Sequence, residues 1–353
     1  MVLKQDPIAL LQDFKERAMG FLFKQTQTTV SSQIVGVDIG HAHLLVLAVE
    51  KRPGSVEITH FRLEPRPDNA EAIAERLKLI FKEEGLSTFR VRTTLKSEGM
   101  VIRILSFPQM KKSEIASMLQ YEVEKYIPFK ANEVVLDFQI LNEGIQQADS
   151  KSMEILLVAV KQSEIHQLMS LFQNSGLTIE VIDVCAFALA NLIEFVSPDH
   201  FSKCLAFLDM GMQSSTFGII LRGKPIFIRD ISFGGGDIVK FLSRKQALVS
   251  DASAAGVQQG IREQAISGLV NEIKLSLGYY FDHIQNAEPV QILFVSGGGF
   301  RLIEDFSYLE KEIRIPTQRL DVLSRIHVSS NLDSNLLKQN QDLLESALGV
   351  CLR

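Results

Sequence analysis

Val35-Gly36-Val37-Asp38-Ile39-Gly40 and Ala206-Phe207-Leu208-Asp209-Met210-Gly211 share one pattern, an apolar run closed by Asp-x-Gly. Each apolar run reads as a buried strand, and each Asp-x-Gly as the turn that ends it. The segments after the two turns also match. Leu44 to Val49 and Val56 to Leu63 are strand-like, with Pro53-Gly54 between them; Thr216 to Leu221 and Pro225 to Ile231 are strand-like, joined by Arg222-Gly223-Lys224. A strand–turn–strand–hairpin–strand unit therefore occurs twice, about half the chain apart. That separation means two related halves rather than a short-period solenoid. A third strand end, Phe294-Val295-Ser296-Gly297-Gly298-Gly299, comes after a helical stretch from Ile266 to Ile284.

The three strand ends share a chemistry. A glycine there lets backbone N–H groups approach an oxyanion with no Cβ in the way. An aspartate beside it can hold a hydrated Mg²⁺, an ion that prefers hard oxygen ligands. Two such turns facing each other make a two-sided phosphate clamp, and a glycine-rich turn can lay bare backbone against a base or ribose. A lone Asp-x-Gly is a common hairpin; the order and context of all three point to a nucleotide clamp. Asp38 and Asp209 are the candidate magnesium-shell residues, and Asp209 is also the candidate to orient an attacking water. Gly234-Gly235-Gly236, before a helix from Asp237, adds Gly235 to the candidate cradle. His41 and His43, two apart, are expected on one strand face, either touching phosphate or as plain polar residues at the rim.

Between the repeats, residues 98–176 read as strand–helix–strand–strand–helix, an insert with its own sheet. Met100 to Leu105 is strand-like, Ser113 opens a helix that breaks at Pro128, and a polar loop, Asn142 to Ser152, separates two strands. Met118, Tyr121, Tyr126 and Phe129 either pack the insert core or line a partner groove. Asp251 to Gly260 reads as a small-residue linker, and Leu336 to Val350 as a terminal helix. Ile8, Leu11, Phe14, Ala18 and Leu22 follow helical spacing, giving either a docked N-terminal helix or an interfacial one.

Composition narrows the function. The 353 residues carry 37 Lys+Arg and 42 Asp+Glu, a net charge of −5 that argues against nucleic-acid binding through bulk charge. No apolar run is long enough to span a bilayer, and acidic residues interrupt any secretory h-region at the start. Cys185, Cys204 and Cys351 form no metal-ligand spacing and sit in apolar company. There is no Gly-x-Ser-x-Gly elbow and no Walker lysine.

The clamp pattern resembles the α/β ATPase fold, ribonuclease H-like and two-lobed, of actin, heat-shock chaperones and sugar kinases. The stretch Glu122-Val123-Glu124-Lys125-Tyr126-Ile127-Pro128-Phe129, followed by Glu133-Val134-Val135-Leu136-Asp137-Phe138, narrows it. That pattern resembles the PilM family, actin-like cytoplasmic proteins of type IV pilus assembly related to FtsA. The Gly176-Leu177 turn, Asn271-Glu272-Ile273-Lys274 and the ending Ala347-Leu348-Gly349-Val350 agree with it, and the likeness covers roughly residues 33–353. The resemblance implies ATP and Mg²⁺ bound between two halves and a groove for the N-terminal peptide of a PilN-like inner-membrane protein. It also implies coupling to other pilus inner-membrane and motor components, at the inner face of that membrane. On that reading Asp38 and Gly40, with His41, form the first phosphate turn. Asp209, Gly211, Ser214 and Ser215 form the second, Glu272 and Lys274 face ribose and base, and Gly297, Gly298 and Gly299 line the adenosine. The expected domains are 1–32 (helix and linker), 33–97 and 177–203 (subdomain 1A) and 98–176 (an FtsA-type inserted α+β subdomain, 1C). Then come 204–235 and 288–335 (2A), 236–287 (2B) and 336–353 (a return to 1A).

This chain departs from the family at the first turn. Small hydroxyl residues, an apolar residue and a lysine usually come next; here His41, Ala42, His43 and Leu44 precede Leu45 at the lysine position. Leucine cannot supply the cation, so phosphate contacts are thinned and slow hydrolysis is expected. The leading expectation is a binding platform. An active ATPase or sugar-kinase-type phosphotransferase needs a catalytic acid in a substrate pocket. An FtsA-like scaffold would need a C-terminal amphipathic membrane helix, which is not expected at Val350-Cys351-Leu352-Arg353, and a GspL-like one would need a transmembrane segment, which no apolar run here leads one to expect.

Overall fold

The computed structural model describes residues 32–86, 89–96, 99–147, 150–246, 255–284, 287–303 and 305–353; the expected N-terminal helix lies outside them. The chain forms two units. One holds Asp68–Cys185 with Arg353, the other Thr29–Pro67 with Ala186–Leu352.

In the second unit the first repeat is a three-stranded meander. β1 (Ser32–Ile39) pairs antiparallel with β2 (His43–Arg52), and β2 with β3 (Ser55–Pro65). Ile34, Val35, Val37 and Leu44 to Val49 are buried, so this hairpin is a core element.

In the first unit, α1 (Ala70–Glu83) is capped by the Asn69 side chain, which accepts from the Ala72 N–H at 2.9 Å. Its Ile73, Leu77, Ile80 and Phe81 recur at helical spacing and are buried. β4 (Val91–Leu95) pairs parallel with a later strand, Ile179–Val184, and then β5 (Met100–Pro108) opens a separate sheet. α2 (Lys112–Glu122) comes next, then β6 (Val134–Gln147), β7 (Ser150–Lys161), α3 (Gln162–Asn174) and β8 (Ile179–Val184). The separate sheet has the antiparallel order β5-β7-β6. α2 covers one of its faces, burying Phe107, Ile115, Leu119, Phe138 and Leu157. The loop expected from Asn142 to Ser152 is instead mostly strand, with Asn142 opposite Glu154 and Gln147 opposite Ser150. Ladder hydrogen bonds hold a polar hairpin that no apolar alternation announces.

The second unit resumes with α4 (Cys185–Val196) and the short α5 (Pro198–Phe201). The second repeat is β9 (Cys204–Met210), β10 (Ser215–Leu221) and β11 (Lys224–Ile231), again an antiparallel meander. α6 (Gly235–Gln246) and α7 (Ala255–His283) come after it. α7 begins at Ala255, so the linker expected up to Gly260 is helix from that point. Its small residues read as a loop, yet alanine is the strongest helix former. β12 (Leu293–Ser296) pairs parallel with β9, and after α8 (Ser307–Ile313) β13 (Thr317–Arg319) pairs parallel with β12. α7 packs on this sheet through Leu269, Ile273 and Tyr280. β14 (His327–Val328) then adds to β3.

The terminal helix is divided into α9 (Ser334–Gln339), a 3₁₀ turn at Gln341–Leu343 and α10 (Glu345–Leu352). The break falls at Asn340, whose Nδ2 donates to the Leu336 carbonyl at 2.8 Å and so competes with the helical ladder. α10 lies against β1 with backbone nearly touching backbone. A Cβ on Gly36 would collide with the Ala347 carbonyl and lie 2.8 Å from Cys351 Sγ.

Candidate functional site

All the expected nucleotide-site residues belong to the second unit. In the first turn Asp38 is the next-to-last residue of β1, and the Gly40 N–H closes the turn on the His43 carbonyl at 2.9 Å. A Cβ on Gly40 would lie 3.7 Å from Asp38 Oδ2, so the carboxylate sits over the turn. His41 is exposed in the bend and His43 is the half-buried first residue of β2, so the two do not share a strand face as expected. Burial, and then the charge of Arg301, lowers the pKa of His43. Leu45, where the resemblance expects a lysine, is a buried core residue opposite Asp38 in the ladder.

The second and third turns interlock. Asp209 pairs in register with Thr216 on β10 and Ser296 on β12. The Gly211 N–H donates to the Ser214 carbonyl at 2.9 Å. The Gly235 N–H donates to the Gly211 carbonyl at 2.9 Å, and the Gly236 N–H to that of Met212 at 2.8 Å. These bonds occupy amides at the start of α6, which draws less of an anion's charge there than an open helix end would. Gly297 has a φ of 90°, which L side chains rarely adopt, and a Cβ on it would collide with Asp209 Oδ1. A Cβ on Gly299 would lie 2.9 Å from the Met210 carbonyl, and one on Gly235 only 3.0 Å from the Gly299 Cα. Asp209, Gly211, Gly235 and Gly297 to Gly299 thus form one close-packed cluster.

Two expected contacts are turned elsewhere. The buried Ser215 hydroxyl donates to the Phe233 carbonyl at 2.7 Å, which leaves half-buried Ser214 as the hydroxyl of that turn nearer solvent. Glu272 accepts from Arg229 of β11 at 2.9 Å, while Lys274 pairs with Glu312 of α8. Two residues apart on a helix, these side chains leave on roughly opposite sides, so one adenosine cannot lie against both. Farther toward the start of α7, an apolar pocket opens among Ile238, Leu242, Ile266, Leu302 and Tyr308, with Arg262, Glu263 and Asp305 at its edge. It adjoins the glycine cluster, because a Cβ on Gly235 would lie 3.5 Å from Leu302 Cδ1.

Two further residues adjoin these turns and escape a reading of the sequence. Glu345, 5% exposed, accepts from the Gly297 N–H at 3.3 Å. Burial, and then the charge of Asp209, pushes its pKa well up. As a first-turn acid of a helix it carries no signal in the sequence. Arg301, exposed beside the glycine turn, bonds Asn340 Oδ1 at 3.4 Å and the Gln339 carbonyl at 3.1 Å while its charge reaches His43. Among the described residues no group of three or more His, Cys, Asp or Glu side chains could hold a bare metal ion. Half-exposed carboxylates such as Asp38 and Asp209 suit a hydrated one.

In the first unit, Met118, Tyr126 and Phe129 pack against the insert core. Tyr126 meets Phe107 edge-on at 5.7 Å, and Lys161 Nζ stands 4.8 Å over Phe129. Tyr121 is different, with 85% of its surface exposed.

The sequence model of the type IV pilus assembly protein PilM family matches residues 36–353. The chain belongs to the PilM family. A solved PilM-PilN type IV pilus biogenesis complex contains a chain similar to it at 24% identity, with a TM-score of 0.74, covering 92% of this chain and 99% of that one. The ethanolamine utilization protein EutJ of Carboxydothermus hydrogenoformans is similar at 12% identity, with a TM-score of 0.51 and 99% of each chain covered. The fold is the actin-like α/β ATPase fold, and the repeated meanders are its sequence trace. No described helix is long and apolar enough to cross a membrane.

Proposed function

We propose that this PilM-family chain is an ATP-binding platform of type IV pilus assembly that holds the N-terminal cytoplasmic peptide of a PilN-like membrane protein. The observation that carries the nucleotide part is the interlocked glycine cluster around Asp209, with the Asp38 turn in the same unit. The donor set fits magnesium bound through water: the carboxylates of Asp38 and Asp209 are near solvent and stand at strand ends. Magnesium would supply charge neutralisation at the phosphates. Asp38 and Asp209 would orient its water shell, the Ser214 hydroxyl would approach phosphate oxygens while Gly40 and Gly211, their N–H groups spent on closing the turns, leave room without a Cβ, and the pocket of Ile238, Leu242 and Leu302 would take the base. The base would then lie beside the beginning of α7 rather than at Glu272 and Lys274.

The same residues favour holding over turnover. Buried Leu45 offers no cation to the phosphate side, and burial with the charge of Arg301 holds His43 toward its neutral form. Asp209 is the residue left to orient an attacking water, so hydrolysis is slow. The partner part is supported by family membership and by the likeness to a chain of a PilM-PilN complex. Exposed Tyr121 on α2 is the side chain we assign to the groove, with Met118, Tyr126 and Phe129 beneath it. Through that partner the platform sits at the inner face of the inner membrane, next to other pilus and motor components.

The test is a calorimetric titration of the full chain with a synthetic peptide of the cognate PilN-like N-terminus, with and without Mg-ATP. One-to-one binding whose affinity changes with nucleotide is expected, weakened several-fold by Tyr121→Ala. No binding in either condition overturns the partner reading.

A further inference from the structure

We propose that Glu345 is a positioning residue of the nucleotide site. It fixes the Gly297 turn and, through that turn, the carboxylate of Asp209. The proposal rests on the nucleotide reading for its purpose but not for its geometry.

Three observations meet at this residue. Gly297 carries Asp209 Oδ1 against its Cα, in a backbone conformation with φ of 90°. Its N–H donates to Glu345 Oε1 at 3.3 Å. A buried N–H without an acceptor is costly, about 1–3 kcal/mol, so the turn keeps this orientation only while Glu345 offers its oxygen. The placement of Glu345 comes from the other repeat. It is the first residue of α10, the helix that lies backbone-to-backbone on β1, and Asp38 stands near the end of β1. Gly349 of the same helix touches the Ala188 backbone so closely that a Cβ would collide with the carbonyl. α10 therefore has little freedom to slide. One rigid helix fixes the strand that bears Asp38 and, by a single hydrogen bond, the turn against which Asp209 rests.

The residue acts as an acceptor, so glutamine, with the same oxygen at the same reach, should replace it. Alanine removes the oxygen and leaves the Gly297 N–H buried and unpaired. Val350→Ala is the control: it trims the same helix at a fully buried site, five residues beyond Glu345.

Hydrogen exchange over residues 294–302 of the ligand-free full chain is the first measurement. Glu345→Ala should speed exchange there at least tenfold, while Glu345→Gln and Val350→Ala leave the local rate within about threefold of the parent once global stability is matched. The second is ATP affinity by calorimetry, with and without Mg²⁺. The parent should gain affinity from Mg²⁺, Glu345→Ala should lose most of that gain, and the other two should keep it. Unchanged exchange in Glu345→Ala, or Glu345→Gln behaving like the alanine variant, overturns the positioning role. If the parent binds no ATP while the exchange pattern holds, the nucleotide reading fails and the positioning of the turn stands.

Discussion

Asp183 and Asp209 are both acidic residues at or near strand ends, and their surroundings separate them. Asp209 is half-buried at the edge of the glycine cluster. Asp183, 1% exposed, is pushed up to about 6 by burial, against the opposing pull of Arg353 at 3.7 Å and of Arg92. A carboxyl whose folded pKa is raised binds its proton more tightly folded than unfolded. Its neutral form is undisturbed near pH 4, and stability is lost as the pH rises through 6, by about 3 kcal/mol at roughly 1.4 kcal/mol per pH unit. Asparagine carries no such charge and keeps an oxygen for the Val184 N–H that Asp183 Oδ1 accepts at 2.8 Å. The melting temperature of the parent minus that of Asp183→Asn should therefore rise as the pH falls from 8 to 5. A difference flat over that range contradicts the assignment. At this scale the sequence is readable where chemistry is local. Asp38, Asp209 and the glycine turns stand out because strand-ending turns have a recognisable composition. Glu345 does not, because its role exists only once α10 has docked on β1, more than 300 positions away in sequence.

Elements decide which side chains of a helix can meet one ligand. Family resemblance puts both Glu272 and Lys274 at the adenosine, although helical geometry already separates side chains two positions apart. α7 spends Glu272 on β11 and Lys274 on α8, and it presents Arg262 and Ile266 nearer the glycine cluster. Lys274→Ala should leave ATP affinity within about twofold, whereas Leu302→Asp, which places a charge in the apolar pocket, should weaken it at least tenfold. The reverse order would return the base to the middle of α7. Contact between elements is equally testable at β1 and α10. Gly36→Val must force the helix off the strand, and overpacking of this kind costs about 1–3 kcal/mol or more. A chemical-denaturation midpoint equal to that of the parent would show that the two backbones are not in contact. Both the start of α7 and the polar β6–β7 hairpin are hidden in the sequence for one reason. Long-range pairing and helix continuation stabilise segments whose own residues resemble loop.

For the molecule as a whole, the doubled meander is enough to decide the fold from sequence, because a repeat so far apart in the chain fits few architectures. The match over residues 36–353 places that fold in the PilM family. We propose that the glycine cluster around Asp209 binds magnesium nucleotide even though Leu45, a buried core residue, offers the first turn no cation. Calorimetric titration of the full chain and of Asp209→Ala with ATP and Mg²⁺ tests it most directly. Saturable one-to-one binding by the parent is expected, with at least tenfold weaker binding by a variant that melts within a few degrees of it. No binding by the parent at millimolar ATP, or equal affinity in the two proteins, would contradict it.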